Sequence, residues 1–163
     1  MKRRPMPPWR FLFSHPAHLI ACGFGSGLSP WVSGTTGTLG GWALYWLLRP
    51  WFSLESFVYF AVASYLLGIW AAHKTGVDLG EADHGAIVWD EIVPFWLLLA
   101  FTPDTLLWQS VAFVLFRIFD IVKPFPANYF DNYVKNGFGV MTDDVFAALY
   151  AWLALQIGLH YLA

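Results

Sequence analysis

The sequence predicts an all-α, polytopic helical membrane protein of about four to five apolar helices, with a re-entrant or glycine-rich loop near its N-terminus. Three observations carry that expectation. The first is composition. Of 163 residues, 58% are hydrophobic and only 12% are charged, where soluble domains carry about 25% charged residues. Mean hydropathy is +0.52. The second is the alternation of apolar stretches with Gly/Pro-rich breaks, which reads as helix after helix. The third is the placement of Lys and Arg, which gather on one side when the helices alternate.

The apolar stretches follow in order. Residues 39–48 are short and run on through "RPWF". A full span needs about 20 apolar residues, so this first helix needs tilt or re-entry to cross. Residues 57–72, "FVYFAVASYLLGIWAA", make a better span. Residues 87–102 make a third. Residues 106–122, "LLWQSVAFVLFRIFDIV", make a fourth that carries Arg117 and Asp120. Residues 145–162 close the chain, with His160 near their end. The breaks fall at 23–37, 74–85, 102–105 and 123–142. Residues 1–14 form a basic cytoplasmic arm, and 15–163 a single helical domain. A cleavable signal peptide is not expected, because Pro16 and two His interrupt the segment after "MKRRPMPPWR".

With the N-terminus inside, the inner side holds Lys2, Arg3, Arg4, Arg10, Lys74, Arg117, Lys123 and Lys135, and the outer side only Arg49. The acids follow the cations. Of the eleven Asp and Glu, only Glu55 and Asp104 fall outside. A formal net charge of −2 makes nucleic acid an unexpected partner. One cysteine, Cys22, excludes an internal disulfide and a Cys-cluster metal site.

Four segments carry chemistry. In "DHGAIVWDE", Asp83, Asp90 and Glu91 precede an apolar run. On a helix reaching back that far, Asp83 and Asp90, and His84 and Glu91, would share a face. Acids at a helix N-terminus favour the helix dipole, but a carboxylate inside an apolar segment is costly and persists beside a partner or an aqueous site. Such hard oxygen donors suit Mg²⁺ or Mn²⁺. In "FRIFDIVKPFP", Arg117 and Asp120 stand i,i+3 with Lys123 three further on. They are either an internal ion pair or a metal ligand beside two phosphate-binding cations. In "NGFGVMTDDVFAALY", Asp143 and Asp144 precede the last apolar stretch, as a helix cap or as further ligands. In "GFGSGLSPWVSGTTGTLGG", glycines alternate with hydroxyl residues, Ser26 and Thr36 among them. Exposed N–H groups before a helix favour phosphate; close helix packing would ask for the same glycines. A nucleotide P-loop is excluded by the missing Lys.

These residues alone leave a phosphatase, a phosphotransferase and a cation-coupled transporter or channel all open. The transporter would draw on the same carboxylates, placed nearer the middle of several helices.

The four segments together, in order over roughly residues 15–150, resemble the phosphatidylglycerophosphatase A family. The resemblance rests on "GFGSGLSPWVSGTTGTLG", "DHGAIVWDE", "FRIFDIVKPFP" and "GFGVMTDD". It implies an all-helical, multi-pass lipid phosphatase of the bacterial inner membrane. That enzyme would hydrolyse phosphatidylglycerophosphate to phosphatidylglycerol and phosphate, with its active site facing the cytoplasm. It implies Mg²⁺ as cofactor, as one or two ions, with Mn²⁺ as a substitute. Asp90, Glu91, Asp120 and Asp144 are then the expected catalytic ligands, and Asp83 and Asp143 further metal-site members. Arg117, Lys123, Ser26 and Thr36 would hold the phosphate of an anionic phospholipid. Oligomerisation is left open.

Overall fold

A computed structural model describes residues 5–162. Seven α-helices follow one another: α1 (Pro16–Ala21), α2 (Ser33–Leu48), α3 (Leu54–Leu79), α4 (Trp89–Ala100), α5 (Leu106–Val122), α6 (Ala127–Tyr133) and α7 (Gly137–Leu162). Short 3₁₀ segments occupy Trp9–Phe13, Gly23–Leu28 and Arg49–Trp51. There is no strand among the described residues.

The organising element is α4. Ten of its twelve residues are buried, because α2, α3 and α7 all pack around it. At about 1.5 Å per residue it is roughly 18 Å long, short of the ~30 Å hydrocarbon core. The expected span over 87–102 is therefore a short central helix walled in by protein. The tolerance of Pro94 in its interior fits that position, since neighbouring helices rather than lipid surround the broken ladder. Among the described residues, two helices are long and apolar enough to cross a membrane, Leu54–Leu79 and Gly137–Tyr161. Helix α3 turns Tyr59, Val62, Leu66 and Trp70 outward, which suits a lipid-facing wall.

Several expected breaks are helical. Residues 33–37 form the first turn of α2, 74–79 extend α3, and 137–142 open α7. In each case glycine is kept for contact, not for a turn. A side chain on Gly37 would reach to 2.5 Å from Val88 Cβ, and one on Gly41 to 3.0 Å from Ile92 Cγ1. The Gly37–Gly41 spacing thus brings α2 against α4 at close range, the small-xxx-small packing that replaces hydrophobic drive between helices in lipid. Gly137 at the start of α7 meets the α3 backbone, with His73 N only 2.7 Å from a Cβ built there. Buried indoles add specific links. Trp96 Nε1 donates to Gly41 O at 2.7 Å, and Trp89 Nε1 donates to Ser64 O at 3.1 Å.

The N-terminal segment is tied down. Leu12 is buried with Cys22 and Ala86. His18 Nε2 meets Asp78 Oδ2 at 2.7 Å, and Lys74 Nζ meets the same oxygen at 2.5 Å, so α1 is strapped to the end of α3. Burial pushes the Cys22 thiol up to about 12, so it stays neutral, as an inert core residue does.

The long helices alternate in direction. Arg49, Glu55 and Asp104 consequently lie at one end of the bundle, and the start of α2, the end of α3, the start of α4, the end of α5 and the start of α7 lie at the other. Lys2, Arg3 and Arg4 of the expected basic arm lie outside the described residues.

Candidate active site

Four helix ends converge on one polar cluster. Glu91 sits in the first turn of α4 and Arg117 in the last turns of α5. Arg117 Nη1 donates to Glu91 Oε2 at 2.7 Å and is ion-paired with Asp120 Oδ2 at 2.5 Å. The i,i+3 pair expected on α5 therefore exists, and it is shared with α4. Thr38 of α2 completes the link: its Oγ1 lies 2.6 Å from Glu91 Oε2 and 2.9 Å from Gly34 O. One hydroxyl proton can serve only one of those two acceptors. Gly34 is the reason this cluster fits under α2. A Cβ there would collide with Glu91 Oε1 and lie 2.9 Å from Arg117 Nη2.

A second cation closes the other side. Lys123 caps α5 in the left-handed region, with φ of 45°, a strained conformation for a residue with a side chain. Its ammonium spans two carboxylates, Asp131 Oδ1 at 2.9 Å and Asp143 Oδ2 at 2.5 Å. Burial pulls the Lys123 pKa down, but Asp143, Asp144 and Asp83 outweigh it and the net direction is up. Lys123 is therefore a fixed positive charge.

Asp90 precedes Glu91 in the first turn of α4. It is buried, and its Oδ1 has no hydrogen-bond partner. Asp83, Glu91, Asp120 and Asp143 all act on it electrostatically, as Asp120, Asp143, Asp90 and Glu91 do on Asp144. The structure thus brings Asp83, Asp90, Glu91, Asp120, Asp143, Asp144, Arg117 and Lys123 to one place. Such a concentration of acid in an apolar bundle is unstable without positive charge, and buried charges persist only where they are compensated.

Three expectations need correction. The helix of α4 begins at Trp89, so Asp83 and His84 lie in the preceding loop and share no helical face with Asp90 and Glu91. His84 is buried, its Nδ1 accepting from Ala86 N at 3.1 Å. Asp143 and Asp144 are not caps; they sit almost two turns inside α7, which starts at Gly137. The glycine-rich segment is not one loop, since Gly23–Leu28 is a 3₁₀ segment and the residues from Ser33 on belong to α2. Ser26 Oγ donates to Gly23 O at 2.9 Å and Thr36 Oγ1 to Ser26 O at 2.9 Å, so both hydroxyls brace the segment itself.

An open cleft of about 520 Å³ faces the cluster. Its polar wall includes Ser33, Gly34, Thr35, Asp83, His84 and Arg117, and Trp31, Val32 and Ile121 form an apolar rim. The first turn of α2 lies on this wall with no side chain capping its N–H groups. Arg117 Nε is likewise buried without a partner. Ser33, Thr35 and Thr38 belong to the hydroxyl-rich segment read from the sequence, but only Ser26 and Thr36 were expected at the phosphate. Their signal was present as the four-residue spacing from Gly34 to Thr38, which places Thr38 one turn above the glycine that admits Glu91.

The family model for phosphatidylglycerophosphatase A matches residues 19–159. The chain belongs to the phosphatidylglycerophosphatase A family. Among curated relatives, the "Phosphatidylglycerophosphatase A" of Haemophilus influenzae is 49% identical over 139 residues, covering 84% of this chain and 85% of the relative. The protein of that name from Escherichia coli is 41% identical over 156 residues, 93% of this chain and 89% of the relative. A "Putative phosphatidylinositol-3-phosphatase" of Bacteroides thetaiotaomicron is 42% identical over 146 residues, 85% of this chain and 91% of the relative. No solved structure matches. As a member of this family the chain is a phosphoric monoester hydrolase. The family match covers every residue of the acidic cluster.

Proposed function

We propose that this protein hydrolyses the terminal phosphate monoester of phosphatidylglycerophosphate, giving phosphatidylglycerol and inorganic phosphate, in a Mg²⁺-dependent reaction at the cytoplasmic face of a bacterial inner membrane. The observation that carries this reading is the buried carboxylate cluster with its two cations at one end of the apolar bundle. It opens on a cleft lined by Arg117 beside the acids Glu81 and Asp83, and by the apolar Trp31, Val32 and Ile121. An anionic headgroup would meet Arg117 and a cation held by the acids, and its apolar body the apolar lining. The names of the two phosphatidylglycerophosphatase relatives favour the same substrate.

The donor set fits a hard divalent cation. Asp90 offers a buried oxygen with no other partner, and the acids around it are all oxygen donors. Among the described residues no three His, Cys, Asp or Glu side chains are already grouped to ligate an ion; Glu91, Asp120 and Asp143 face Arg117 and Lys123 instead. Asp90 and Asp144 would hold the ion, joined by Glu91 and Asp120, with Asp83 and Asp143 completing the set. Mg²⁺ when bound would supply charge neutralisation on the phosphoryl group and activation of a water.

The chain's own residues do the rest. Arg117 lines the cleft, and its guanidinium, anchored through Nη1 by Glu91 and Asp120, would take a phosphate oxygen there. The uncapped N–H groups of the first turn of α2 add donors on the same side of the cleft. Lys123 holds Asp143 in place and balances its charge. In the net reaction water adds to phosphorus, the bond from phosphorus to the glycerol oxygen breaks, and that oxygen takes up a proton.

The test is phosphate release from phosphatidylglycerophosphate in mixed micelles by purified protein. Activity with Mg²⁺, loss with EDTA and recovery with Mg²⁺ or Mn²⁺ support the reading. Full turnover in metal-free buffer refutes the metal, and no turnover on this lipid under any cation refutes the substrate.

A further inference from the structure

Beyond the cleft, the same faces of α2 and α5 border an apolar groove. On α2, Thr35 lines the cleft, while Leu39, Ala43 and Trp46 line the groove. These positions follow each other at three- and four-residue steps and so lie on one face. On α5, Ile121 and Arg117 line the cleft and Leu106 the groove. Leu106 and Arg117 are eleven residues apart, again one face of a helix. The groove has a volume of about 450 Å³. Its wall is pre-formed: Trp42 Nε1 and Trp46 Nε1 both donate to buried Gln109 Oε1, at 2.8 and 2.7 Å. Trp42 also stacks on Phe113 with ring centroids 5.7 Å apart. Both indoles are thus fixed by α5, leaving their faces to shape the groove.

From Thr35 to Trp46 the seam runs about 16 Å at 1.5 Å per residue. That is about the depth of one leaflet, half of a ~30 Å hydrocarbon core. It begins at the guanidinium and ends in purely apolar lining. We propose that the α2–α5 seam is the acyl-chain subsite of this enzyme: one chain of the phospholipid substrate lies against Leu39, Ala43, Trp46 and Leu106 while its phosphate reaches Arg117. The inference rests on the proposed phospholipid substrate. It adds that the chain is recognised by a fixed place on the protein and not merely by the surrounding bilayer. The shared helix faces select this occupant: on α2 and on α5 the residues lining the groove follow those lining the cleft.

The experiment compares Ala43→Trp and Leu106→Trp, which fill the groove from its two walls, with Val62→Trp, which adds the same bulk to the outward face of α3. Kinetics are measured on dioleoyl-phosphatidylglycerophosphate in mixed micelles. The first two variants raise KM about tenfold with kcat kept, the cost of losing contact with roughly two methylene groups. Val62→Trp changes neither constant. Unchanged KM in both groove variants overturns the proposal. So does an equal rise in Val62→Trp, which would make any lipid-facing bulk sufficient, and so does a fall in kcat with KM unmoved. If one groove variant fails to fold, the other decides by the same criteria. Inactivity of the unmodified protein on this lipid is a separate outcome: it removes the proposed substrate, and the subsite with it.

Discussion

Replacing Arg117 by leucine strands two carboxylates at once. Glu91 keeps only Thr38 as a partner, and Asp120 loses its 2.5 Å contact. Removing one member of a buried ion pair costs about 3–5 kcal/mol, because the remaining charge stays desolvated. The Glu91 and Asp120 side chains each retain 12% exposure, so some water reaches them, and the lower end applies, about 3 kcal/mol. That is about a hundredfold in the folded-to-unfolded ratio. Asp120→Asn keeps the Arg117–Glu91 bond and leaves an amide oxygen to accept from Arg117, so it costs only about 1–2 kcal/mol. Arg117→Lys falls between them, since a single ammonium cannot reproduce the guanidinium's reach to both acids. The double change Arg117→Leu with Asp120→Leu recovers part of the loss, as one stranded charge is gone, yet stays inactive. Denaturant unfolding in detergent, followed by the fluorescence of the ten tryptophans, gives the order. An Arg117→Leu protein as stable as Asp120→Asn would refute the shared-pair reasoning. A double variant with normal turnover would remove both residues from the reaction.

Asp90→Asn is expected to abolish phosphate release with little change in unfolding midpoint, because Asp90 Oδ1 has no hydrogen bond to lose; retained turnover would place the essential oxygen elsewhere. Gly34→Ala pushes its new methyl into the Glu91–Arg117 pair, and overpacking of this kind costs about 1–3 kcal/mol. Its phosphatase activity should fall more than that of Gly158→Ala, whose nearest neighbour lies at 3.9 Å; equal activities would show that α2 does not set the pair's position. Reporter fusions after Lys135 and at Asp104 should read cytoplasm and periplasm, respectively. The reverse pattern would turn the carboxylate cluster outward.

Class and family were legible in the sequence, as were most of the acids that the fold gathers. Composition and apolar stretches mark a helical membrane protein, because a bilayer leaves the backbone few other choices. Asp90, Glu91 and Asp120 stand out in the sequence because a carboxylate in an apolar stretch contrasts with its neighbours, whereas Asp131, which meets Lys123 at 2.9 Å, carried no such signal. The Arg117–Asp120 pair was legible from its spacing alone. The tertiary structure decided what periodicity cannot carry. Whether glycines at 34, 37 and 41 make a loop or a contact depends on what lies opposite them, and it is Glu91, Val88 and Ile92 of the α4 region that make them contacts. Apolarity marks burial without saying in what, so 87–102 read as a span while protein encloses α4 on ten of its twelve residues. Nothing local distinguishes Ser26 and Thr36 from Thr38; only the approach of α4 gives Thr38 a carboxylate and leaves the other two to brace their own segment. Arg117 and Glu91 are 26 residues apart, and a pair at that distance exists only once α4 and α5 are brought side by side.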